Sequence, residues 1–273
     1  MAPWSVVWEV PCPEVALGRH RFDVRHRALV MGTVSRSTEI DGLMTCAERL
    51  RSDGANALDV DCSSPCVPIE EDLDRTIPMI ETLHARLDMP LAVTTPHAQV
   101  LRAALAAGAV VGHDTSGSID AGYLEVVAAA GASVLVTGSG TISQRPGEPP
   151  IDAARRALTV WGEATEVAGL PRDRVLLDAG LHRMSFGPRP LELLRSHHRL
   201  AELGWPIVIS TSDVPLIPVL PGDGSHVPIG RYAVQALGIA LGVRVLRTHD
   251  VRGARRTADV MAAVLSAREA RSA

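Results

Sequence analysis

The sequence contains no lysine: all 27 of its basic residues are arginine, and asparagine occurs once, at Asn56. Without lysine, no Schiff base can form with a carbonyl substrate, and no lysine amine can serve as acid, base or nucleophile. The lone asparagine precedes the second predicted strand, which excludes any mechanism that needs an asparagine at another strand end. These two absences remove whole classes of catalysis.

Cysteine and long apolar runs are also scarce. The four cysteines form no C-x-x-C pair and are too few for a disulfide framework in 273 residues, which predicts reduced thiols. No run approaches eighteen apolar residues, and the amino terminus has an acidic residue and prolines where a signal peptide requires a basic start. We therefore expect a cytoplasmic protein that does not bind membranes.

The charge gives no sign of a nucleic-acid partner. The formal net charge is −4, and the arginines are scattered rather than clustered. An apolar content of 46% in 273 residues is sufficient for one large core. A small molecule is thus the expected partner of a single globular domain.

Eight apolar, β-branched segments of strand length recur after residue 27, and a helical pattern that closes near a glycine separates each from the next. The segments are residues 28–34, 57–62, 91–95, 110–114, 133–138, 175–180, 206–211 and 243–250. Eight alternating units predict an α/β fold, the (β/α)8 or TIM barrel, whose usual size of about 250 residues fits this chain. A doubly wound sheet is the alternative.

The segment before the first of these strands has a different pattern. Residues 4–24 alternate between apolar and polar side chains in two halves, with Pro-Cys-Pro-Glu at 11–14 between them. This alternation predicts a two-stranded β-ribbon that closes the amino-terminal end of the barrel. We assign residues 1–27 to the ribbon and residues 28–273 to the barrel, within a single domain.

Polar residues collect where the predicted strands end. Because the carboxyl ends of parallel barrel strands converge on one face, these side chains form the candidate site. Burying so many polar and charged groups requires either mutual pairing or a ligand. The candidates are Ser35, Asp59, Thr94, His113, Asp178, His182, Ser210, Ser212, Arg247 and His249.

Arg247 and His249 lie two residues apart on the last strand, so the alternation of a strand predicts that both side chains point to its inward face. A guanidinium fork beside an imidazole suits a phosphate, pyrophosphate or carboxylate group. His249, His113 and Asp178 are the candidate acid/base groups, and the other candidates are assigned to binding. A competing interpretation is that Arg247 only pairs with Asp178 or Asp59, without a ligand.

The order and spacing of these segments resemble dihydropteroate synthase, a (β/α)8 enzyme of folate synthesis in the pterin-binding family. The resemblance covers residues 28–264 and is strongest in GANALDV, EEDLDRTIPMIETL, VLRAALAAGAVVGHDTSG, PRDRVLLDAG and VLRTHDV. Arg247 and His249 match the family's R-V-H-D pair, which holds the pyrophosphate leaving group. Asp178 matches the aspartate of the family's L-D-P-G.

Other family motifs are missing. The family's N-V-T-P-D-S-F-S-D-G-G loop is replaced by SRSTEIDG from Ser35, and its G-G-E-S-T-R-P-G loop by DCSSPC from Asp61. Thr94 stands for the aspartate of S-V-D-T, His113 for the asparagine of I-N-D, and the lysine of S-R-K falls near Asp213. The clamp for p-aminobenzoate and most of the pterin-binding set are therefore absent.

Three functions are compatible with these observations. The first is a divergent transferase or lyase that takes a small phosphate-, pyrophosphate- or carboxylate-bearing substrate at the barrel mouth. The second is a non-catalytic paralogue, a partner or scaffold subunit, in which the helical segments LELLRSHHRLAELG and GRYAVQALGIALG would matter because they resemble the family's dimer surface. The third is an authentic dihydropteroate synthase.

The remaining expectations concern cofactors and assembly. We predict no cofactor and no resident metal, because the carboxylates of Asp59 and Asp61 lack an obvious third ligand in the sequence. Mg²⁺ is expected only as the companion of a pyrophosphate substrate. The resemblance implies a homodimer, with a heteromeric partner as the alternative.

Overall fold

A computed structural model of the chain describes residues 6–7, 9–35, 40–61, 67–116, 121–138, 145, 147–181, 188–211 and 227–267. The strands in these ranges are β1 (Glu14–Leu17), β2 (His20–Asp23), β3 (Leu29–Ser35), β4 (Ala57–Asp61), β5 (Leu91–Thr94), β6 (Val111–Asp114), β7 (Ser133–Thr137), β8 (Val175–Asp178), β9 (Ile207–Ser210) and β10 (Val245–Thr248). The helices are α1 (Ile40–Ser52), α2 (Ile69–Arg86), α3 (Ala98–Ala106), α4 (Ala121–Ala129), α5 (Pro150–Val167), α6 (Pro188–Arg195), α7 (His198–Ala201), α8 (Val227–Ala240) and α9 (Val251–Ser266).

Strands β3 to β10 form a closed barrel. Each strand pairs in parallel with its neighbour along the chain, and β10 returns to pair with β3. Helices separate the strands, so the predicted (β/α)8 fold is confirmed and the open, doubly wound sheet is excluded. The predicted strand segments agree with the observed strands to within two residues at each end.

The barrel side chains separate into two cores because successive residues of a strand point to opposite faces. The outer core lies between the strands and the helices and includes Val30, Leu58 and Val93. The inner core fills the barrel itself. It includes one inward-facing residue from each barrel strand, namely Met31, Ala57, Ala92, Val111, Leu135, Leu176, Val208 and Val245.

Helix ends follow the signals read from the sequence. Helix α2 begins with the acidic residues Glu70, Glu71 and Asp72 and ends with basic residues, an arrangement that complements the helix dipole. The turn after α3 requires glycine: Gly108 has φ 116°, and a Cβ there would lie 2.3 Å from the ring of His84. No helix among the described residues has the length and apolar character needed to cross a membrane.

The amino-terminal ribbon packs against the inner core, and its strands differ from the prediction. β1 begins at Glu14, the last residue of the predicted connection; β1 and β2 otherwise lie in the second predicted half and are joined at Gly18, whose φ is 58°. In the first half, the amide of Val7 does not pair with the ribbon but donates a hydrogen bond to the carbonyl oxygen of Ala240 at the end of α8. Val15 and Leu17 pack into the inner core, and Ser133 Oγ donates to the Ala16 carbonyl at 2.7 Å.

The segment LELLRSHHRLAELG is also divided. It was predicted as one helical pattern, and it forms α6 and α7 with a break at Ser196 and His197. The His197 side chain is buried, and its Nδ1 lies 2.9 Å from the carbonyl oxygen of Leu193. The imidazole therefore satisfies a carbonyl of α6 at the break and leaves the chain free to turn into α7.

Candidate functional site

The next inward position of every barrel strand, two residues beyond the inner core, carries a polar side chain. We call these eight residues the polar ring: Thr33, Asp59, Thr94, His113, Thr137, Asp178, Ser210 and Arg247. None of them is more than 5% exposed. The structure thus brings six of the predicted site residues together at the carboxyl ends of the strands.

Thr33 and Thr137 were missed in the sequence. Their signal was available, since each lies two residues after an inward-facing apolar residue, Met31 or Leu135. Threonine is common in strands, so a threonine near a strand end does not by itself indicate a functional site.

Asp59 is the centre of the larger half of the ring. Its Oδ2 accepts a 2.6 Å hydrogen bond from Arg247 Nε, and its Oδ1 accepts one of 2.8 Å from the Thr94 hydroxyl. His113 Nδ1 lies 3.0 Å from Asp59 Oδ2, and His113 Nε2 lies 2.9 Å from Thr137 Oγ1. Asp59 thus connects β4 with β5, β6 and β10 through side chains alone.

The hydrogen-bond pattern assigns the tautomer of His113. An ionised carboxylate only accepts, so the single hydroxyl proton of Thr94 goes to Asp59. Thr94 must then accept from His113 Nδ1, which lies 2.8 Å away, and Nδ1 therefore carries a proton. Nε2 lies 2.9 Å from Thr137 Oγ1, so both ring nitrogens have partners inside the protein.

Opposed effects set the ionisation of the central pair. Burial raises the pKa of Asp59, but the charges of Arg247 and His113 and their hydrogen bonds outweigh it and hold that pKa well below its usual range. Burial lowers the pKa of Arg247, and the carboxylates of Asp59 and Asp61 outweigh it in turn. Both partners are therefore charged at neutral pH.

The second half of the ring is built on Asp178. Its Oδ1 accepts from the amide of Gly180 at 2.8 Å, and its Oδ2 accepts from the Ser210 hydroxyl at 2.7 Å. The turn that supplies this amide requires glycine, because Gly180 has φ 71° and a Cβ there would lie 2.0 Å from the carbonyl oxygen of Gly138. The sequence Leu-Asp-Ala-Gly therefore holds a carboxylate at a fixed height in the mouth.

The other predicted site residues lie above the ring or outside the described residues. His249 is exposed, and its Nδ1 lies 3.2 Å from the Thr33 carbonyl oxygen. The backbone of Ser35 ends β3, but its side chain is outside the described part, as are His182 and Ser212. Asp61, one inward position above Asp59, makes a long contact of 3.5 Å with Arg247 Nη2.

Comparison with known proteins decides the family. The family model described as "Pterin binding enzyme" matches residues 33–249, which include the whole polar ring. The chain belongs to the pterin-binding enzymes. Within the residues that the structure describes, no group of three or more histidine, cysteine or acidic side chains is arranged to hold a metal ion.

Relatives place this pterin-binding chain near dihydropteroate synthases. It is 31% identical to "Inactive dihydropteroate synthase 2" of Mycobacterium tuberculosis, with 89% of this chain and 84% of the relative covered. It is 26% identical to the dihydropteroate synthase of Bacillus subtilis, with 89% and 90% covered. The structure of the Xanthomonas albilineans enzyme with 7,8-dihydropteroate superposes with a TM-score of 0.83 at 30% identity and covers 92% of this chain and 98% of that one. These comparisons confirm a divergent member of the dihydropteroate synthase group.

Replacing Asp59 by asparagine removes the counter-charge of a buried guanidinium. We expect Asp59→Asn to lower the free energy of unfolding by about 3–5 kcal/mol at pH 7, measured by urea denaturation. Asp88→Asn is the control, because Asp88 forms an exposed ion pair with Arg19 and should leave that free energy nearly unchanged. Equal stability of the two variants would contradict the central role of Asp59.

The same pair predicts a pH dependence. The folded-state pKa of Asp59 is lowered, so its stabilisation is present above the unfolded value of about 3.9 and is lost as the pH falls further. Wild-type stability should therefore decrease more steeply below about pH 4 than that of Asp59→Asn. Parallel curves for the two proteins would show that the pKa of Asp59 does not differ between the folded and unfolded states.

Proposed function

We propose that the protein does not make dihydropteroate and is instead a divergent transferase or lyase whose barrel mouth binds a small ligand with a phosphate, pyrophosphate or carboxylate group. The observation that supports this most directly is how Arg247 is held. Asp59 fixes the guanidinium through Nε at 2.6 Å, whereas the terminal Nη2 has, among the described residues, only a long contact of 3.5 Å with Asp61. The guanidinium is thereby oriented with its terminal nitrogens available for exchange.

Asp61 is the group that a ligand anion would replace. Its side chain is 36% exposed, whereas the Asp59 side chain is fully buried, so solvent already weakens the outer contact. A bidentate phosphate or carboxylate would form shorter, charge-assisted hydrogen bonds with the same nitrogens. The exposed imidazole of His249, on the same strand end, would add a donor or an acid/base group.

The polar ring supports the loss of ordinary dihydropteroate synthesis. Thr94 and His113, which stand for two pterin anchors of the family, are fully committed to Asp59 and Thr137. A pterin would have to break these hydrogen bonds, and each buried group left unpaired would cost about 1–3 kcal/mol. The name of the M. tuberculosis relative, an inactive synthase, agrees with this interpretation.

Asp178 and His249 are the proposed acid/base groups, and no resident cofactor is required for them. Asp178 is oriented by Gly180 and Ser210 and lies close enough to Arg247 to raise the pKa of the guanidinium. Mg²⁺ would enter only together with a pyrophosphate ligand, because the inner carboxylate of Asp59 is committed to Arg247.

A second candidate function, a partner or scaffold subunit, has its own support on the surface. A groove of about 560 Å³ lies between α8 and α9, and apolar side chains line much of it. Ile229 is 70% exposed and Val260 is 64% exposed beside it, which is unusual for large apolar residues. We propose that this groove is a homodimer contact, with a heteromeric partner as the alternative. Of the two segments that resemble the family's dimer surface, GRYAVQALGIALG contributes to this groove and LELLRSHHRLAELG does not.

Dihydropteroate synthesis should be undetectable with the purified protein. The assay is formation of dihydropteroate from p-aminobenzoate and dihydropterin pyrophosphate, with a known dihydropteroate synthase as the positive control. The expected result follows from the commitment of Thr94 and His113 to the ring. Turnover comparable to that of the control enzyme would contradict it.

Asp61→Asn should strengthen binding of pyrophosphate by about fivefold, because it removes a competing negative charge next to Arg247. Arg247→Met should weaken the same binding by at least about tenfold. Titration calorimetry measures both, and unfolding of each variant is followed in parallel because Arg247→Met leaves the Asp59 carboxylate buried without its partner. Weaker binding by Asp61→Asn would show that Asp61 helps to hold the ligand.

Ile229→Glu should convert a dimer into a monomer, since it places a charge in the apolar groove. Light scattering coupled to size-exclusion chromatography measures the mass. Val167→Glu is the control, because Val167 is 90% exposed on α5, away from the groove. A monomeric wild-type protein, or a dimer that survives Ile229→Glu, would contradict the homodimer.

A further inference from the structure

Thr33 has an unpaired hydroxyl inside the mouth. Its side chain is 2% exposed, and within the part of the chain that the structure describes Oγ1 has no hydrogen-bond partner. It belongs to the inward-facing series of β3, because Leu29 and Met31 lie in the inner core whereas Val30 and Val34 lie in the outer core. Its hydroxyl is thus enclosed among the groups of the polar ring.

Packing does not account for this hydroxyl. Valine has nearly the same shape as threonine and would fill the space without an unsatisfied polar atom. Every other member of the polar ring has a hydrogen-bond partner for its side chain. Thr33 is therefore the exception in a ring that is otherwise satisfied, and the deficit can be met by a ligand.

The neighbours of Thr33 are the groups of the proposed anion site. Thr33 lies directly opposite Asp59 in the register of β3 and β4. On its other side, β10 supplies Arg247 and then His249, whose ring contacts the Thr33 carbonyl at 3.2 Å. Asp61 is one inward position above Asp59, so displacement of its contact with Arg247 opens this corner of the mouth.

We propose that the Thr33 hydroxyl is a specificity-determining contact that donates to the ligand anion beside Arg247 and His249. This inference rests on the proposed function and narrows its ligand class. Thr33, Arg247 and His249 approach the anion from two adjacent strands, so they match the three terminal oxygens of a phosphoryl group, which diverge in three dimensions, better than the two coplanar oxygens of a carboxylate. The site should therefore prefer phosphoryl groups to carboxylates.

The test replaces the hydroxyl by a methyl group in Thr33→Val. We expect a higher Tm, because a buried unpaired hydroxyl is removed, together with binding of pyrophosphate that is weaker by about tenfold. Binding of malonate, a carboxylate probe, should change by less than about twofold. Gain of stability with loss of affinity is a combination that a purely structural role of Thr33 would not produce.

Thr76→Val is the matched control. Thr76 lies on α2, outside the barrel mouth, and is fully buried; its Oγ1 also has no hydrogen-bond partner among the described residues. It should raise Tm in the same way and leave pyrophosphate binding unchanged. Thr33→Ser keeps the hydroxyl and should retain the wild-type affinity for pyrophosphate. It also keeps the proposal testable if Thr33→Val folds poorly.

The outcomes separate the two proposals. Unchanged pyrophosphate affinity in Thr33→Val, in a protein whose binding is lost in Arg247→Met, overturns the role of Thr33 and leaves the anion site intact. Equal weakening of pyrophosphate and malonate by Thr33→Val overturns the preference for phosphoryl groups. A wild-type protein that binds neither probe overturns the proposed function, and the inference about Thr33 with it.

Discussion

The ion pair between Asp59 and Arg247 is the interaction on which the mouth of this barrel depends. Each partner is too costly to bury alone, and together they are stable only because Thr94 and His113 complete the hydrogen bonds of the carboxylate. The pair joins the second barrel strand to the last, across the seam where the barrel closes. One electrostatic contact thus links the strands on either side of β3 and organises the candidate site.

The fold was predictable because its signals are local and repeated eight times. Apolar runs, helical periods and closing glycines all agree, and no long-range information is needed to count them. The ribbon was harder. Its alternation continues through both predicted halves, but the amide of Val7 donates to the carbonyl of Ala240 at the end of α8. The carbonyl of Val7 accepts a hydrogen bond from the buried guanidinium of Arg244. A tertiary contact therefore removes the first half from a hairpin that its pattern allows.

The position of the site could be predicted from the sequence, whereas the pairing of its side chains could be predicted only in part. Parallel strand ends must converge, which is why six of the eight ring residues could be named in advance. Which carboxylate would pair with Arg247 depends on the stagger of the strands, and both Asp59 and Asp178 were open possibilities. The register settles it in favour of Asp59 and keeps Asp178 with Ser210. The contact of His113 Nε2 with Thr137 could not be predicted either, because Thr137 was not among the predicted site residues.

The hydrogen bond from Thr94 to Asp59 has a consequence for the history of the chain. An aspartate at position 94, as in the family's motif, would place a second carboxylate against Asp59, where one of the two would have to take up a proton. An asparagine at position 113 would withdraw a partner from both Asp59 and Thr137. Each of these two replacements alone would therefore leave the hydrogen bonds around Asp59 incomplete.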